Sequence, residues 1–479
     1  MPYQIYIQGE WCDAENGETI NIHNPATGEL VDSIAYGTVI DAQNALDSAA
    51  QAFPTWKALS AYERGELLDQ AAENIRERAN EIATVLTKEN GKPIAESLAE
   101  AKGCAAWFNW FAEEGKRVYG RMIPSHYPHK RHWVIRQPVG VVVAIAPWNF
   151  PIALMCRKLA AALAAGCVVV SRPSSRTPLS TALIFECLHD AGFPPGSISF
   201  IVGSARELTE KMLDHPAVRK IAFTGSTEVG KQLMAQAGQR ITKVSLELGG
   251  HAPLIVFPDV DMQDAIEKTV VGKFRNAGQS CISPTRIYVH EDIFDEFTER
   301  AVDRTAKIVV GNGLDEKVEM GPLFDEGQLQ SVEAFLEDAV GKGAEVLIGG
   351  ERLVGKDYDK GLFFAPTIVK NIKGIMRLSC EEIFGPIMPL IPFSTEEEVI
   401  REANTTEFGL ASYVLVKDIS IAIRVIEALE FGIVGLNDTV PTVPQAPFGG
   451  WKESGIGREG GIEGIEAYLE TKYISVGGI

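Results

Sequence analysis

The sequence predicts an α/β fold in which buried parallel strands alternate with helices. From residue 139 to 247, short β-rich apolar runs are separated by helical patterns, and apolar strands of that kind are covered on both faces by crossover helices. The alternation resumes at 254 and continues to about 416, which makes a second α/β unit. The chain has 479 residues, and at roughly 150 residues per domain it divides into two to four.

Taken in order, apolar residues at 68, 71, 72, 75, 79, 82 and 86 follow the spacing of one amphipathic helix over 59–92, ended by Gly91 and Pro93. A second helix is expected over about 95–118. His126, His129 and His132 recur at intervals of three and invite a metal, but Pro124 and Pro128 argue against a helix and no cysteine or carboxylate is interleaved. An exposed extended segment without metal is expected there. Strands are then predicted at 139–146, 167–171, 199–202, 220–224 and 243–247, with helices at 152–165 and 179–191. The second unit should hold strands at 254–257, 286–289, near 344 and at 411–416, with helices at 293–309 and 326–342.

Composition narrows the function. Hydrophobic residues make up 46% and charged residues 23%, an ordinary globular balance. The net charge of −19 argues against nucleic acid or an anionic membrane as partner, because both attract clustered Lys and Arg. Seven scattered cysteines with no C-x-x-C spacing fit a reducing compartment rather than disulfides or zinc. The N-terminus lacks a signal pattern, and the longest apolar run, 159–170, is too short to span a bilayer. A cytoplasmic protein is expected.

In a parallel α/β sheet, ligands sit at the carboxyl ends of the strands. Pro147-Trp148-Asn149, Arg172-Pro173-Ser174-Ser175 and Thr224-Gly225-Ser226 all fall at such ends, which points to one shared site. The last of these passes through glycine into a helix, a geometry that offers backbone N–H groups to a phosphate. The formal dinucleotide fingerprint Gly455-Ile456-Gly457-Arg458-Glu459-Gly460 is a decoy, since too few residues follow it for a β-α-β unit. The stretch 273–284 contains Cys281, the candidate nucleophile, which needs a base and an oxyanion partner from elsewhere.

Six stretches in order resemble the aldehyde dehydrogenase superfamily: Pro147-Trp148-Asn149-Phe150-Pro151, Phe223-Thr224-Gly225-Ser226, Leu246-Glu247-Leu248-Gly249-Gly250, Gly278-Gln279-Ser280-Cys281, Glu382-Ile383-Phe384-Gly385-Pro386 and Pro447-Phe448-Gly449-Gly450. The resemblance implies a Rossmann-type NAD(P)-binding domain (1–119 and 140–249), an α/β catalytic domain (250–467) and a small β oligomerisation element (120–139 and 468–479) that builds a homodimer or homotetramer. It implies Cys281 as nucleophile, Asn149 and the Cys281 N–H as oxyanion donors, and Glu247 as the base that hydrolyses a thioester. Lys158 and Glu459 match positions linked to proton relay. Trp148, Gly225, Ser226, Glu382 and Phe384 would contact NAD or NADP.

Two departures stand out. Arg172-Pro173-Ser174-Ser175 replaces the family's usual Lys-Pro-Ser-Glu, so the carboxylate that repels a 2′-phosphate is missing. NADP should therefore be tolerated, with Arg172, Ser175 and Arg176 near that phosphate. His251 stands where the family commonly has Lys.

Within the superfamily the chain looks most like succinate semialdehyde dehydrogenase. Arg157 and Arg275 match the two arginines that grip that substrate's carboxylate, Thr442 falls where that enzyme has Ser, and Phe448 lies at the substrate site. A guanidinium fork also suits a sulfonate, so a sulfonated aldehyde such as 3-sulfolactaldehyde, or another semialdehyde, is the alternative. Ser283 replaces the second cysteine of the animal enzyme, so no disulfide switch is expected. From other classes, a cofactor-independent thiol hydrolase or esterase would use Cys281 and Glu247 without hydride transfer, and a CoA-acylating dehydrogenase would not need Glu247. A non-catalytic protein on this fold would not need Cys281, Glu247 or Asn149 intact.

Overall fold

The computed structural model describes residues 3–478. Five parallel strands form the centre of the first sheet, in spatial order Ile198–Phe200, Val168–Arg172, Val141–Ile145, Val218–Thr224 and Lys243–Glu247. Antiparallel strands close both edges, Ile5–Ile7 with Glu10–Cys12 on one side and Gly455–Ile456 on the other. The strand order reverses between Val141–Ile145 and Val218–Thr224, so a crevice opens at their carboxyl ends, where an open α/β sheet binds its ligand. Trp148 and Asn149 follow the first of these strands, and Gly225 and Ser226 follow the second.

The helix Pro151–Ala165 fills the sheet's inner face. It starts with proline at its first turn, is buried along nearly its whole length and stops at Gly166, whose φ of 92° only glycine adopts freely. The strand Val141–Ile145 is likewise buried at every position, as the continuous apolar run requires.

The second sheet runs Glu345–Ile348, Thr367–Lys370, Ile387–Phe393, Pro284–His290, Ala252–Val256, Ala411–Leu415 and Ile433–Leu436, with only the first of these antiparallel. The third sheet pairs Leu469–Gly477 with Lys130–Pro138 and adds Arg121–Ile123. Among the described residues no helix is long and apolar enough to cross a membrane.

Several expectations need correction. The helix expected over 59–92 is two, Ala61–Glu77 and Ala79–Asn90, broken at Arg78. All seven apolar positions are buried as the spacing requires. The break re-aims the second helix onto the core, and Arg78 is held there by Glu81 at 2.8 Å and Glu186 at 2.7 Å. The helix expected at 293–309 is Phe294–Thr305, entered through a 3₁₀ turn. The helix Val39–Ala58 has no counterpart in the sequence reading, although its Thr38–Asp41 capping box is a legible start signal. Of the three histidines, His126 and His129 are exposed in a turn, and His132 lies in a strand with its ring 2.7 Å from the Tyr473 hydroxyl. No metal-ligating cluster exists among the described residues. The first two residues of the Gly455–Gly460 segment form an edge strand antiparallel to Lys243–Glu247.

Candidate active site

Cys281 lies in the loop between the helix Met262–Phe274 and the strand Pro284–His290. Asn276, Ala277 and Gly278 all have positive φ, at 49°, 54° and 71°, a strained run that persists only where surrounding bonds hold it. Those bonds are present. Gln279 Nε2 donates to the Asn276 carbonyl at 3.0 Å while its Oε1 accepts from the Phe324 N–H at 2.9 Å. Tyr413 Oη donates to the Ile282 carbonyl at 2.6 Å, and Ser283 Oγ to that of Lys273 at 3.2 Å. Gly250 packs so closely that a Cβ there would sit 2.2 Å from the Cys281 carbonyl oxygen.

Two cavities meet at this sulfur. One, of about 180 Å³, is lined by Trp107, Phe150, Arg157, Arg275, Thr442 and Phe448. The other, of about 290 Å³, is lined by Trp148, Asn149, Gly225, Ser226, Glu382 and Phe384. Cys281 thus lines a cavity on each of two sides.

Asn149 is buried, with one amide N–H on the Gln279 carbonyl at 3.2 Å and the second free for the cavity. Its own carbonyl accepts from Lys92 Nζ at 2.6 Å and Asn276 Nδ2 at 3.1 Å. Glu247 ends the strand Lys243–Glu247, is buried, and has no hydrogen-bond partner on either carboxyl oxygen. Burial first, then the neighbouring Glu459 carboxylate, hold its pKa well above the usual carboxylate range, against the pull of Lys158 and Arg157. Lys158, fully buried, donates to Glu459 Oε1 and to Thr224 Oγ1, both at 2.6 Å. A buried carboxyl whose pKa is raised, with a lysine and a second carboxyl within reach, is equipped to move protons. Burial, then the Glu382 and Glu247 carboxylates, push the Cys281 thiol up to about 12, so the sulfur rests as a thiol.

On the substrate side, Arg157 lies over the rings of Phe448 at 4.4 Å and Trp107 at 4.9 Å, buried, with Nε and Nη1 unpaired. Arg275 lies over Phe150 at 5.2 Å. Neither arginine has a carboxylate within salt-bridge distance among the described residues, whereas most of the chain's other arginines do.

The cofactor side fits a dinucleotide. A Cβ at Gly225 would lie 2.3 Å from the Phe223 ring and one at Gly249 would lie 2.7 Å from Glu382 Oε2, so both glycines leave room that a side chain would fill. Ser226 caps the helix Thr227–Gly238, whose N-terminus faces the cavity. Glu382 accepts from the Gly250 N–H at 3.0 Å, and burial pushes its carboxyl up to about 7. Trp148 stacks on Phe324 at 4.2 Å and meets Phe384 edge-on at 5.7 Å.

Arg172 ends the strand Val168–Arg172 with a buried, unpaired Nε, and burial pulls its pKa down to about 10. Ser175 is partly exposed beside it in sequence. Arg176 is engaged elsewhere, paired with Asp325 and lying over Phe324 at 5.2 Å. His251 is buried with Nδ1 2.8 Å from Thr285 Oγ1, and burial holds its pKa well below the usual imidazole range. It packs among Thr285, Arg286 and Phe408. The sequence reading missed Trp107, which a helical apolar pattern cannot distinguish from any other core aromatic.

The model of the aldehyde dehydrogenase family matches residues 11–474. The chain belongs to that family. It is 47% identical to the glutarate-semialdehyde dehydrogenase of Pseudomonas putida, over 99% of this chain and 97% of that one. It is 46% identical to the NADP(+) succinate-semialdehyde dehydrogenase of Escherichia coli, over 99% and 98%, and 45% identical to the 3-sulfolactaldehyde dehydrogenase of Pseudomonas putida, over 100% and 98%. The crystal structure of an Escherichia coli NADP-dependent enzyme superposes with a TM-score of 0.97 at 46% identity, covering 99% of this chain and 98% of that one. The protein is an NAD(P)-dependent aldehyde dehydrogenase, and the likeness to succinate semialdehyde dehydrogenase read from the sequence holds across the whole chain.

Proposed function

We propose that the enzyme oxidises a short anionic aldehyde, of the succinate semialdehyde type, to the corresponding acid. The observation that carries this is Arg157: a buried guanidinium with two unpaired nitrogens and no carboxylate partner, facing the cavity that ends at Cys281. An uncompensated buried cation is costly unless an anion arrives to meet it. Arg275 and the Thr442 hydroxyl complete the grip on the tail, and Phe448 and Trp107 flatten the channel around it.

Cys281 gives up its thiol proton to solvent water, and the thiolate Sγ adds to the aldehyde carbon, which becomes tetrahedral with a negative oxygen. The free N–H of Asn149 and the Cys281 backbone N–H stabilise that oxygen. Gly225, Ser226, Glu382 and the Trp148–Phe384 pair would hold NAD(P), which would supply the hydride acceptor, leaving a thioester on Cys281. Glu247 takes a proton from water as it attacks the thioester, the Cys281 thiolate leaves, and the Glu459 carboxylate, held by Lys158, receives the proton next. The NAD(P)-binding domain is assigned to 1–119 and 140–249, with Gly455–Ile456 lent to its sheet by the catalytic domain, 250–467; the element at 120–139 and 468–479, through the sheet of Arg121–Ile123, Lys130–Pro138 and Leu469–Gly477, joins subunits into a homodimer or homotetramer in the cytoplasm.

NAD(P)H formation across a panel of anionic and neutral short aldehydes tests the substrate class. Arg157→Ala and Arg275→Ala should each lower kcat/KM for the charged aldehyde by about 10²-fold, the loss of a charge-assisted hydrogen bond of about 1.5–3 kcal/mol, and leave butanal little changed. Preference for neutral aldehydes, with both variants unaffected, would refute the grip. A sulfonated aldehyde is a second substrate supported by the same guanidinium fork and by the likeness to the sulfolactaldehyde enzyme. The unpaired Arg172 supports NADP use: Arg172→Gln should lower kcat/KM for NADP more than for NAD, and strict NAD use by the parent enzyme would remove this role.

A further inference from the structure

Behind Asn149 lies an ion pair that the chemistry described so far does not use. Lys92 Nζ, wholly buried, is 2.7 Å from Glu100 Oε2 and 2.6 Å from the Asn149 carbonyl oxygen, and it stands 3.9 Å from the centre of the Phe150 ring. The other Glu100 oxygen accepts from the Ala153 N–H at 3.1 Å, in the first turn of the helix that carries Arg157 and Lys158. Glu100 itself lines the substrate cavity beside Arg157 and Arg275.

We propose that Lys92 and Glu100 are positioning residues that serve both ends of the substrate: Lys92 anchors the main chain of Asn149 and so aims its side-chain amide, and by neutralising Glu100 it keeps the cavity attractive to an anionic tail. The inference rests on the assignment of Asn149 as oxyanion donor and of the arginines as the anion grip.

Two arguments support it. The first is geometric: Lys92 fixes the Asn149 carbonyl from behind while Asn276 Nδ2 fixes it from the nucleophile loop. The residue that meets the oxyanion is therefore tied at once to the helix Ile94–Glu114 and to the strained turn before Cys281. The second is charge. Arg157, Arg275 and Glu100 line the cavity; outside that lining Lys92 pairs with Glu100 at 2.7 Å, and Glu96 accepts from the Asn276 N–H at 3.1 Å. Three cations against two carboxylates leave one positive charge, which matches one carboxylate or sulfonate tail. Without Lys92 the balance falls to zero and Glu100 stands unneutralised in the cavity wall. As a source of stability such a pair is poor, because apolar side chains of the same volume would fill the space with no desolvation cost.

The test compares Lys92→Met with Lys92→Met/Glu100→Gln, using succinate semialdehyde and butanal, by the pre-steady-state burst of NAD(P)H and by steady-state KM. The single variant should slow the burst on the order of 10²-fold with both aldehydes, the cost of misplacing a catalytic group by about 1 Å. It should raise KM for succinate semialdehyde severalfold and leave that for butanal unchanged. The double variant, which removes both charges and retains a folded core if the single one does not, should recover the KM for the charged aldehyde but not the burst rate. A wild-type burst in either variant, or a rise in KM equal for both aldehydes, overturns the proposal. Two controls separate it from its premises: a wild-type burst in Asn149→Ala removes the oxyanion assignment, and a parent enzyme with no preference for the charged aldehyde removes the anion grip.

Discussion

Glu247 and Cys281 share one problem, since each must ionise in a place that resists charge. Burial and the Glu459 carboxylate raise the Glu247 pKa, so as pH rises through that elevated range more of the group becomes a competent base. Deacylation should therefore accelerate with pH above the usual carboxylate range, and the acidic limb of the kcat profile should disappear in Glu247→Gln. That variant should still release one burst of NAD(P)H per site and then turn over about 10²–10⁴-fold more slowly, with a thioester mass adduct on the Cys281 peptide. Absence of the burst would mean that Glu247 acts before hydride transfer. In the sequence Cys281 stood out as a candidate, and Asn149 and Glu247 were reached only through the resemblance of their stretches to the aldehyde dehydrogenases. Lys92 was not legible, because a lysine two residues after a helix end reads as a solvated charge until its 2.6 Å contact with Asn149 is seen.

At the level of elements, close backbone approach explains what residue patterns alone do not. The segment beginning at Gly455 satisfies the dinucleotide fingerprint in form, yet its first glycine serves the edge strand against Leu246 and Glu247, while Gly460 packs against Ala446 and Trp107. Gly455 has φ 141°, and a Cβ there would sit 2.0 Å from the Leu246 carbonyl oxygen. Gly455→Ala should lower the urea midpoint, the backbone strain alone costing about 1–3 kcal/mol, and should lower kcat because the strand bearing Glu247 shifts. An unchanged midpoint would mean that the edge strand yields freely. The same kind of constraint ended the single helix expected over 59–92: its apolar spacing was right at every position, but a periodic pattern carries no information about a bend at Arg78 that keeps both halves on one curved core.

Across the whole molecule, several ionisable groups are buried, and their signs can be worked out together. Glu89 and Glu382 have native pKa values pushed up to about 7, so from about pH 4.5 to 7 the native state holds protons that the unfolded chain has lost, and stability falls as pH rises. Lys273, buried without a partner, is pulled down to about 7, and Lys220 to about 8. Above those values the unfolded chain binds protons that the native state does not, up to about pH 10.4, and stability rises with pH. Lys273→Met should raise Tm at pH 7 and flatten the rise in Tm between pH 7 and 10, as followed by calorimetry; a steeper rise would show that the amine has a partner in solution. What the sequence by itself determined was the α/β alternation, the buried strands and, through six ordered stretches, the family, because periodicity and residue type are local properties. What only the tertiary structure decided was which groups meet: the switch point between Val141–Ile145 and Val218–Thr224, the isolation of Arg157 from any carboxylate, the engagement of Arg176 with Asp325, and the seat of Asn149 on Lys92. Charge pairing and desolvation depend on distances across the fold, and residues far apart in the chain acquire those distances only when the core closes around them.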